Sequence, residues 1–310
     1  MRVLIAEQDH ALYAHLLREA APDLEVLTSG DSATLSRLAA DCPIWLGQPD
    51  LMASLLRQGH KPAWLQSTWA GITPLLAHGL PREYRLTRAV GIFGQVMAEY
   101  VLTYLLGHER EVLARLVSQV ERKWDGRLNA SIRGRKVLIV GVGDIGASVA
   151  QFLQPFGVEL YGIATQPREQ APFAEIAALD DLPRLVAQAD YVINLLPNTE
   201  QTHDLFNAAL FAQFNPQALF MNIGRGVAVV DADLVEALKL GHLAGAVIDV
   251  CRQEPLPQQH PFWTAWGLLL TGHSAAPTSP RAMVGLFLEN VHAYQAGQPL
   301  RGEVDFDRGY

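Results

Sequence analysis

The sequence predicts an α/β protein of two domains, each built on a doubly wound parallel sheet, with a Rossmann-type domain inserted into a flavodoxin-like one. Three features predict this class: near-continuous apolar runs, helical patterns between them, and a length of 310 residues. Apolar runs separated by helix-length segments are typical of parallel strands that are covered on both faces. With 49% hydrophobic residues, the chain has enough apolar side chains to fill two cores.

The apolar runs fall into two cycles. The first cycle predicts strands at 3–6, 24–27, 44–46 and 63–66. The second cycle predicts strands at 136–140, 158–163, 191–196, 218–223 and 245–250. Between the cycles, apolar residues at three- and four-residue steps predict one long helix from about Gln95 to about Glu121. A last helix is predicted at 279–296, because a proline stands at its start and Gly297 follows it.

Charge and cysteine content exclude several classes of partner. The formal net charge is −8 and no long basic run occurs, so we expect no nucleic-acid partner. Cys42 and Cys251 lie far apart, without the His/Cys spacing of a zinc site, and we expect two buried free thiols and no bound metal. No apolar window approaches the ~18 residues of a spanning helix, and the N-terminal apolar run is too short for a secretory signal. We therefore expect a cytoplasmic protein without a membrane partner.

A glycine-rich turn, G-V-G-D-I-G, follows the strand at 136–140 and opens a helical pattern. The first glycine permits a tight turn, the second lets the backbone approach a pyrophosphate, and the third allows helix and strand to pack closely. This context predicts a dinucleotide site, and the alternative is a purely structural turn. The residues assigned to the cofactor here are Gly141, Gly143, Asp144, Ile145 and Gly146.

The end of the next strand carries no acidic residue. An Asp or Glu about 20 residues after the turn would accept a hydrogen bond from the ribose 2′-OH of NAD. Here Thr165, Gln166 and Arg168 follow the strand, and their donors and positive charge suit a 2′-phosphate. We expect NADPH to be preferred, with NAD as the alternative cofactor if Arg168 is only a solvated loop residue.

Three polar residues are candidates for catalysis, although singly each would be assigned to the surface or to a structural role. Arg225, in N-I-G-R-G, has a planar guanidinium that can grip a carboxylate and an adjacent carbonyl oxygen, and its flanking glycines would let a ligand approach. His273, in T-G-H-S-A-A, has an imidazole that can donate a proton near neutral pH. Glu254, held before Pro255, would accept from the other ring nitrogen and favour the imidazolium.

In this order and spacing the motifs resemble the D-isomer-specific 2-hydroxyacid dehydrogenases. The resemblance extends from M-A-E-Y-V-L-T-Y-L-L at 97–106, through N-I-G-R-G, E-P-L-P and G-H-S-A-A, to the tail G-E-V-D-F-D-R-G-Y at 302–310. The M-A-E-Y helix, the absent ribose acid and the R-G-Y ending are most similar to the NADPH-preferring glyoxylate/hydroxypyruvate reductase branch. The resemblance implies hydride transfer to short 2-oxo acids, giving D-2-hydroxy acids, with Arg225, Glu254 and His273 as catalytic residues. It also implies a substrate domain of 1–96 plus 279–310 and a cofactor domain of 97–278.

The resemblance implies further ligand contacts. Additional cofactor-binding positions are Leu196, Pro197 and Thr199 beside the nicotinamide ribose, Ile223, Gly224, and Asp249 facing the nicotinamide amide. Substrate-binding positions are Trp45, Trp69, Ala70, Gly71, Arg225 and His273. Trp45 would be a pocket wall, with a core aromatic as the alternative. The family commonly has a proline before the histidine, whereas this chain has Gly272, so we expect a more mobile loop.

The apolar character of the helix from about Gln95, on more than one face, predicts a homodimer in which a second copy covers the other side. Trp124 is then a candidate wall of the partner's substrate pocket, and the alternative is an aromatic of its own subunit. Two other functions stay open. One is a dinucleotide-sensing binding or regulatory protein on the same fold, and the other is a scaffold that uses this helix as its interface.

Overall fold

The computed structural model describes residues 1–307 and 309, and the chain divides into two compact units. The first unit comprises Met1–Ile92 and Thr278–Tyr310, and the second comprises Phe93–Pro277. These divisions fall within a few residues of the expected boundaries at 96/97 and 278/279. Arg308 and Tyr310, which belong to the R-G-Y ending, lie outside the described residues.

The first unit contains a sheet of five parallel strands in the order β2-β1-β3-β4-β5. Its strands are β1 Arg2–Ala6, β2 Glu25–Thr28, β3 Ile44–Gly47, β4 Trp64–Ser67 and β5 Arg85–Thr87. Its helices are α1 His10–Ala20, α2 Ser32–Ala39, α3 Pro49–Arg57 and, from the end of the chain, α10 Pro280–Gln295. This strand order is the flavodoxin-like one, with the reversal between β1 and β3. The four predicted strands are confirmed, and β5 was not predicted.

The last helix follows the sequence signals closely. Ser279 is its N-cap, with the side chain accepting from the N–H of Ala282 at 3.4 Å, and a proline occupies the first turn. Phe287 of α10 stacks on Trp64 of β4 with ring centroids 5.2 Å apart. Both rings are fully buried, so α10 is part of the first unit's core although it is distant in sequence.

The second unit contains a sheet of seven parallel strands in the order β12-β11-β10-β9-β6-β7-β8. Its strands are β6 Lys136–Val140, β7 Glu159–Ile163, β8 Glu175–Ala177, β9 Tyr191–Asn194, β10 Leu219–Asn222, β11 Gly245–Ile248 and β12 Leu268–Leu270. Its helices are α4 Gly94–Glu109, α5 Val112–Val120, α6 Asp144–Leu153, α7 Leu182–Val186, α8 Ala208–Phe211 and α9 Asp231–Leu240. The order reverses between β6 and β9, as in a Rossmann fold with one strand added. The predicted fold class is confirmed.

The single long helix predicted from about Gln95 to about Glu121 is wrong. Glu111 has a φ of 49°, a left-handed conformation that ends α4 and starts α5. Val101 and Leu105 of α4 are buried against the core of the second unit, and α4 packs on α6. The apolar side chains of α5, by contrast, are exposed. None of the helices formed by the described residues is long and apolar enough to cross a membrane.

Candidate active site

The glycine-rich turn has the geometry that a dinucleotide site requires. Gly141 has a φ of 110°, and a Cβ there would lie 3.0 Å from the backbone of Leu195. A Cβ at Gly146 would lie 2.4 Å from the carbonyl oxygen of Gly141, so the glycine allows α6 to pack closely on the turn. A Cβ at Gly143 would meet nothing within 4 Å, so open space borders the N-cap of α6. Because a helix N-terminus attracts anions, this turn fits a pyrophosphate.

The segment after β7 brings a positive charge to the same turn. Arg168 donates from Nη2 to the carbonyl oxygen of Val142 at 2.7 Å and from Nε to Gln170 Oε1 at 2.9 Å. Thr165 and Gln166 are exposed beside it. Arg168 is exposed, and a hydrogen bond holds its guanidinium beside the glycine-rich turn.

Arg225 follows β10, and buried asparagines at the ends of two adjacent strands support its backbone. Asn194, at the end of β9, donates to Asn222 Oδ1 at 2.9 Å, and Asn222 donates to the carbonyl oxygen of Arg225 at 3.2 Å. Asn194 also accepts from the N–H of Leu196 at 3.2 Å. The two asparagines therefore couple the loop after β9 to the loop that carries Arg225. Sequence analysis did not identify either one, although each is the last residue of an apolar strand.

The glycines that flank Arg225 have a different function from the predicted one. A Cβ at Gly224 would lie 2.7 Å from the carbonyl oxygen of Leu196, and one at Gly226 would lie 2.0 Å from the backbone of Cys251. The chain's own backbone occupies the space next to both glycines. They are thus required for close packing of neighbouring loops, and the expectation that they admit a ligand is wrong. The Arg225 guanidinium itself donates to the carbonyl oxygen of Gly224 at 2.5 Å.

The loop between β9 and α8 carries Leu196, Pro197 and Thr199. Thr199 and Thr202 form a reciprocal capping arrangement, and the Thr202 hydroxyl also donates to the carbonyl oxygen of Pro197 at 2.7 Å. The loop is therefore fixed internally at the carboxyl edge of the sheet. Ile223, beside Gly224, is buried, and its side chain belongs to the core of the second unit.

His273 and Glu254 form a direct pair. Nδ1 of His273 lies 2.7 Å from Glu254 Oε2, and the other carboxylate oxygen accepts from the N–H of Cys251 at 2.8 Å. Each side chain is more than one third exposed. Because the carboxylate engages Nδ1, Nε2 is the ring nitrogen that remains to face a ligand. This pairing is the arrangement that the sequence predicted for a proton donor and its partner.

Asp249, directly after β11, anchors the loop that carries the histidine. Its carboxylate accepts from the Thr271 hydroxyl at 2.6 Å and from the N–H groups of Ser274 and Ala275 at 2.8 and 3.1 Å. Its carbonyl oxygen accepts from the N–H of His273 at 2.6 Å. The residue is only 2% exposed. The structure therefore shows that Asp249 holds this loop, a function that sequence analysis did not foresee.

Arg252 links the segments of Arg225 and Glu254. Its guanidinium donates to the carbonyl oxygens of Val229 and Val227, at 2.6 and 3.1 Å, and pairs with Asp204. These carbonyls belong to the turn that follows Arg225, while Arg252 itself lies two residues before Glu254. No sequence motif singled out Arg252, because its partners are backbone atoms brought close by the fold.

In the first unit, the loop 69–71 follows β4. The Ser67 hydroxyl donates to the carbonyl oxygen of Trp69 and accepts from its N–H, both at 3.0 Å. Within the described part of the chain, the N–H groups of Ala70 and Gly71 have no hydrogen-bond acceptor. The Trp69 ring is 39% exposed. Two backbone donors are thus available to an anion at the carboxyl end of the strand.

The assignment of Trp45 to a pocket wall is wrong. The ring is fully buried in the core of the first unit, and Nε1 donates to the carbonyl oxygen of Cys42 at 2.9 Å. Cys42 is buried as expected, whereas Cys251 is only partly buried. Burial raises the pKa of each thiol to about 11, so both are protonated at neutral pH and neither is a reactive thiolate.

The geometry defines a class of protein. A dinucleotide-binding turn, an arginine and a carboxylate-paired histidine all lie at the carboxyl edge of the seven-stranded sheet. That edge is where open α/β sheets bind their ligands. The combination of a nucleotide fold and an acid–base pair is that of a nicotinamide-dependent oxidoreductase.

Comparison with known proteins supports this class of protein. The sequence model of the D-isomer specific 2-hydroxyacid dehydrogenase NAD-binding domain matches residues 102–275. A glyoxylate/hydroxypyruvate reductase A from Photorhabdus laumondii is 32% identical over 274 residues, covering 86% of each chain. The crystal structure of a D-isomer specific 2-hydroxyacid dehydrogenase family protein from Aeromonas salmonicida superposes with a TM-score of 0.93 at 37% identity, over 99% of both chains.

A further solved structure carries a nucleotide. The NADPH-dependent glyoxylate/hydroxypyruvate reductase from Sinorhizobium meliloti, in complex with NADP and sulfate, superposes with a TM-score of 0.86 at 27% identity, over 100% of this chain and 99% of that one. The chain belongs to the D-isomer specific 2-hydroxyacid dehydrogenase family, in the branch that contains the glyoxylate/hydroxypyruvate reductases. It is an NAD(P)-dependent oxidoreductase.

Proposed function

We propose that this enzyme is an NADPH-dependent reductase of short 2-oxo acids, of the glyoxylate and hydroxypyruvate type, and that its products are D-2-hydroxy acids. The observation that carries the proposal is the 2.7 Å pair of His273 Nδ1 and Glu254 Oε2. The carboxylate engages Nδ1 and orients the ring, so Nε2 is the nitrogen that can give a proton to a substrate oxygen.

The reaction needs a hydride and a proton. NADPH, when bound, supplies the hydride to the carbonyl carbon of the oxo acid. His273 Nε2 gives its proton to the carbonyl oxygen as that oxygen becomes an alkoxide, and the neutral ring stays paired with Glu254. Arg225 holds the substrate carboxylate and the carbonyl oxygen with two prongs of its guanidinium, which fixes the orientation of the carbonyl.

We also propose ligand contacts by residues other than Arg225, Glu254 and His273. The turn from Gly141 to Gly146 holds the pyrophosphate. Arg168, with Thr165 and Gln166 beside it, receives the 2′-phosphate, and this supports NADPH over NADH. In the first unit, the N–H groups of Ala70 and Gly71 are donors that can bind an anionic group. We also propose that the enzyme acts as a homodimer.

The test is steady-state kinetics with purified protein. We expect NADPH oxidation with glyoxylate or hydroxypyruvate, a D configuration in any chiral product, and a higher kcat/KM for NADPH than for NADH. His273→Asn should lower kcat by on the order of 10²–10⁴ with NADPH affinity nearly unchanged, because a general acid acts in the chemical step. A protein that binds NADPH but turns over none of a panel of 2-oxo acids would instead be a nucleotide sensor.

A further inference from the structure

The histidine loop adopts an unusual backbone conformation. Gly272 and His273 have consecutive positive φ values, 71° and 55°. Proline fixes φ near −65°, so a proline at position 272 would be incompatible with this turn. A non-glycine residue such as His273 persists in the left-handed region only where its surroundings impose that conformation.

A series of hydrogen-bonded side chains that ends on Asp249 imposes this conformation on the loop. The Thr271 hydroxyl has one hydrogen, and this hydrogen goes to Asp249 Oδ1 at 2.6 Å. The hydroxyl of Tyr100, 2.7 Å from Thr271 Oγ1, must therefore be the donor of that second bond. Tyr100 belongs to α4, so the helix fixes the loop through Thr271. The Asp249 carboxylate then holds Ser274 and Ala275 on the far side of the histidine.

We propose that Thr271 and Tyr100 are positioning residues for His273, and that their link to Asp249 gives the loop its rigidity. The hydrogen bonds that the structure describes for their hydroxyls go to each other and to Asp249, while the imidazole is bonded to Glu254. They act by fixing the backbone on the N-terminal side of the histidine, so that Nε2 points in one direction. The inference rests on the proposed role of His273 as proton donor. It also replaces the expectation that Gly272 makes the loop mobile.

The experiment compares Thr271→Val, which removes the hydroxyl at nearly constant shape, with Thr271→Ser, which keeps it. Thr271→Val should lower kcat roughly 10- to 100-fold, because misplacement by about 1 Å costs that much in a positioned reaction. NADPH affinity, measured by fluorescence, should stay within about twofold, since the loss concerns the chemical step. Thr271→Ser should restore most of kcat, and Tyr100→Phe should lower kcat in the same direction.

Thr264→Val is the matched control, because among the described residues the Thr264 hydroxyl has one hydrogen bond, a long one of 3.5 Å to the carbonyl oxygen of Pro261. It should behave as the unmodified protein. Thermal unfolding of every variant separates loss of fold from loss of positioning. If Thr271→Val does not fold, Tyr100→Phe decides the question, because it deletes a single oxygen of the chain of hydrogen bonds.

A readout without substrate completes the test. The imidazole ¹⁵N resonances of His273, identified by their absence in His273→Asn, should shift in Thr271→Val and return in Thr271→Ser. Unchanged kcat and unchanged resonances in Thr271→Val would overturn the proposal, and so would a loss confined to NADPH affinity. Normal turnover in His273→Asn would instead refute the proton-donor role, whereas the resonances would still show whether Thr271 orients the ring.

Discussion

At the scale of single residues, the site depends on how one carboxylate engages one imidazole. Glu254 uses one oxygen for His273 and the other for the N–H of Cys251. The carboxylate is thus held in place by the backbone while it orients the ring. This division of the two oxygens indicates that Glu254 sets the direction of the His273 ring.

Glu254→Gln tests that role through the turnover number. An amide has no negative charge to pair with the ring that donates the proton, so kcat for glyoxylate reduction should fall while NADPH affinity stays nearly unchanged. Steady-state kinetics with saturating NADPH and glyoxylate measures kcat. Glu236→Gln, on the exposed face of α9 and paired with Lys239, serves as the control. An unchanged kcat in Glu254→Gln would show that the carboxylate does not assist the ring.

Arg225→Lys tests the two-pronged grip. A lysine keeps the charge but cannot reproduce the planar fork, so KM for the oxo acid should rise and kcat should fall. We expect a loss in kcat/KM on the order of 10- to 100-fold, the equivalent of ~1.5–3 kcal/mol for a charged hydrogen bond. Steady-state kinetics with each substrate varied in turn measures it. A loss confined to the KM for NADPH would assign Arg225 to the nucleotide.

Residue types predicted that Glu254 pairs with His273 and that Gly141 and Gly146 allow a tight, closely packed turn, because these features depend on chemistry and on local conformation. Trp45 and the glycines beside Arg225 were misassigned for a common reason. Whether a residue faces its own core or a ligand depends on which distant backbone lies next to it. A Cβ at Gly226 would lie 2.0 Å from the backbone of Cys251, and this close approach is a property of the fold that leaves no local signal.

At the scale of elements, the length of each strand determined whether the sequence predicted it. The nine strands with four or five residues each correspond to a predicted apolar run. The three that were missed, β5, β8 and β12, have only three residues each. Such short runs do not establish an alternation or a continuous apolar stretch. The break between α4 and α5 was missed as well, because apolar periodicity continues through Glu111 while the backbone turns.

The end of β7 should determine cofactor choice. Arg168→Gln removes the charge placed beside the glycine-rich turn and should lower the NADPH over NADH ratio of kcat/KM about 10-fold or more. Ala164→Asp should shift the ratio further, because a carboxylate there repels the 2′-phosphate and can bind the ribose 2′-OH. Ala164 is buried, so the ratio is taken within each variant and is insensitive to lost stability. Arg184→Gln, on α7, is the matched control, and an unchanged ratio in Arg168→Gln would contradict the prediction.

The edge strand β5 is tied to the end of the chain by an ion pair. Arg85 donates to both oxygens of Glu303, at 2.7 and 2.8 Å. This hydrogen-bonded pairing with Arg85 lowers the pKa of the Glu303 carboxyl below its usual value. A lowered folded-state pKa contributes stability above the unfolded value, ~4.3, which is lost as pH falls through the folded value.

Glu303→Gln should therefore be less stable than the unmodified protein near neutral pH, and the difference should shrink below about pH 4. Urea unfolding at about pH 7 and about pH 3.5 measures it. Glu83→Gln is the control, because Glu83 meets Lys61 only at 3.9 Å with both side chains well exposed. An equal difference at both pH values would mean that the pair contributes no pH-dependent stability.

At the scale of the whole molecule, the unexplained surface is α5 and the segment after it. Val112, Leu113, Leu116, Val117 and Val120 are all more than half exposed, and Trp124 is 98% exposed. Arg115 of α5 holds the following segment in place by donating to the carbonyl oxygens of Asp125 and Arg127 and to Asn129 Oδ1. Contiguous exposed apolar side chains are typical of surfaces that bind another molecule, and we expect a second copy of the chain to cover this one.

The homodimer is therefore expected to form through α5 rather than through α4, whose apolar residues the second unit already covers for the most part. Light scattering at micromolar concentration should give about twice the chain mass of 34.0 kDa. Leu116→Glu with Val120→Glu should shift the protein toward the monomer, because two buried charges are costly at an apolar interface. Leu240→Glu, an exposed leucine on α9, should leave the mass unchanged.

If the dimer forms and Trp124→Ala raises KM for the oxo acid without weakening the dimer, Trp124 contributes to the partner's pocket. Unchanged KM values would confine Trp124 to the interface, and a single-chain mass for the unmodified protein would refute the dimer itself.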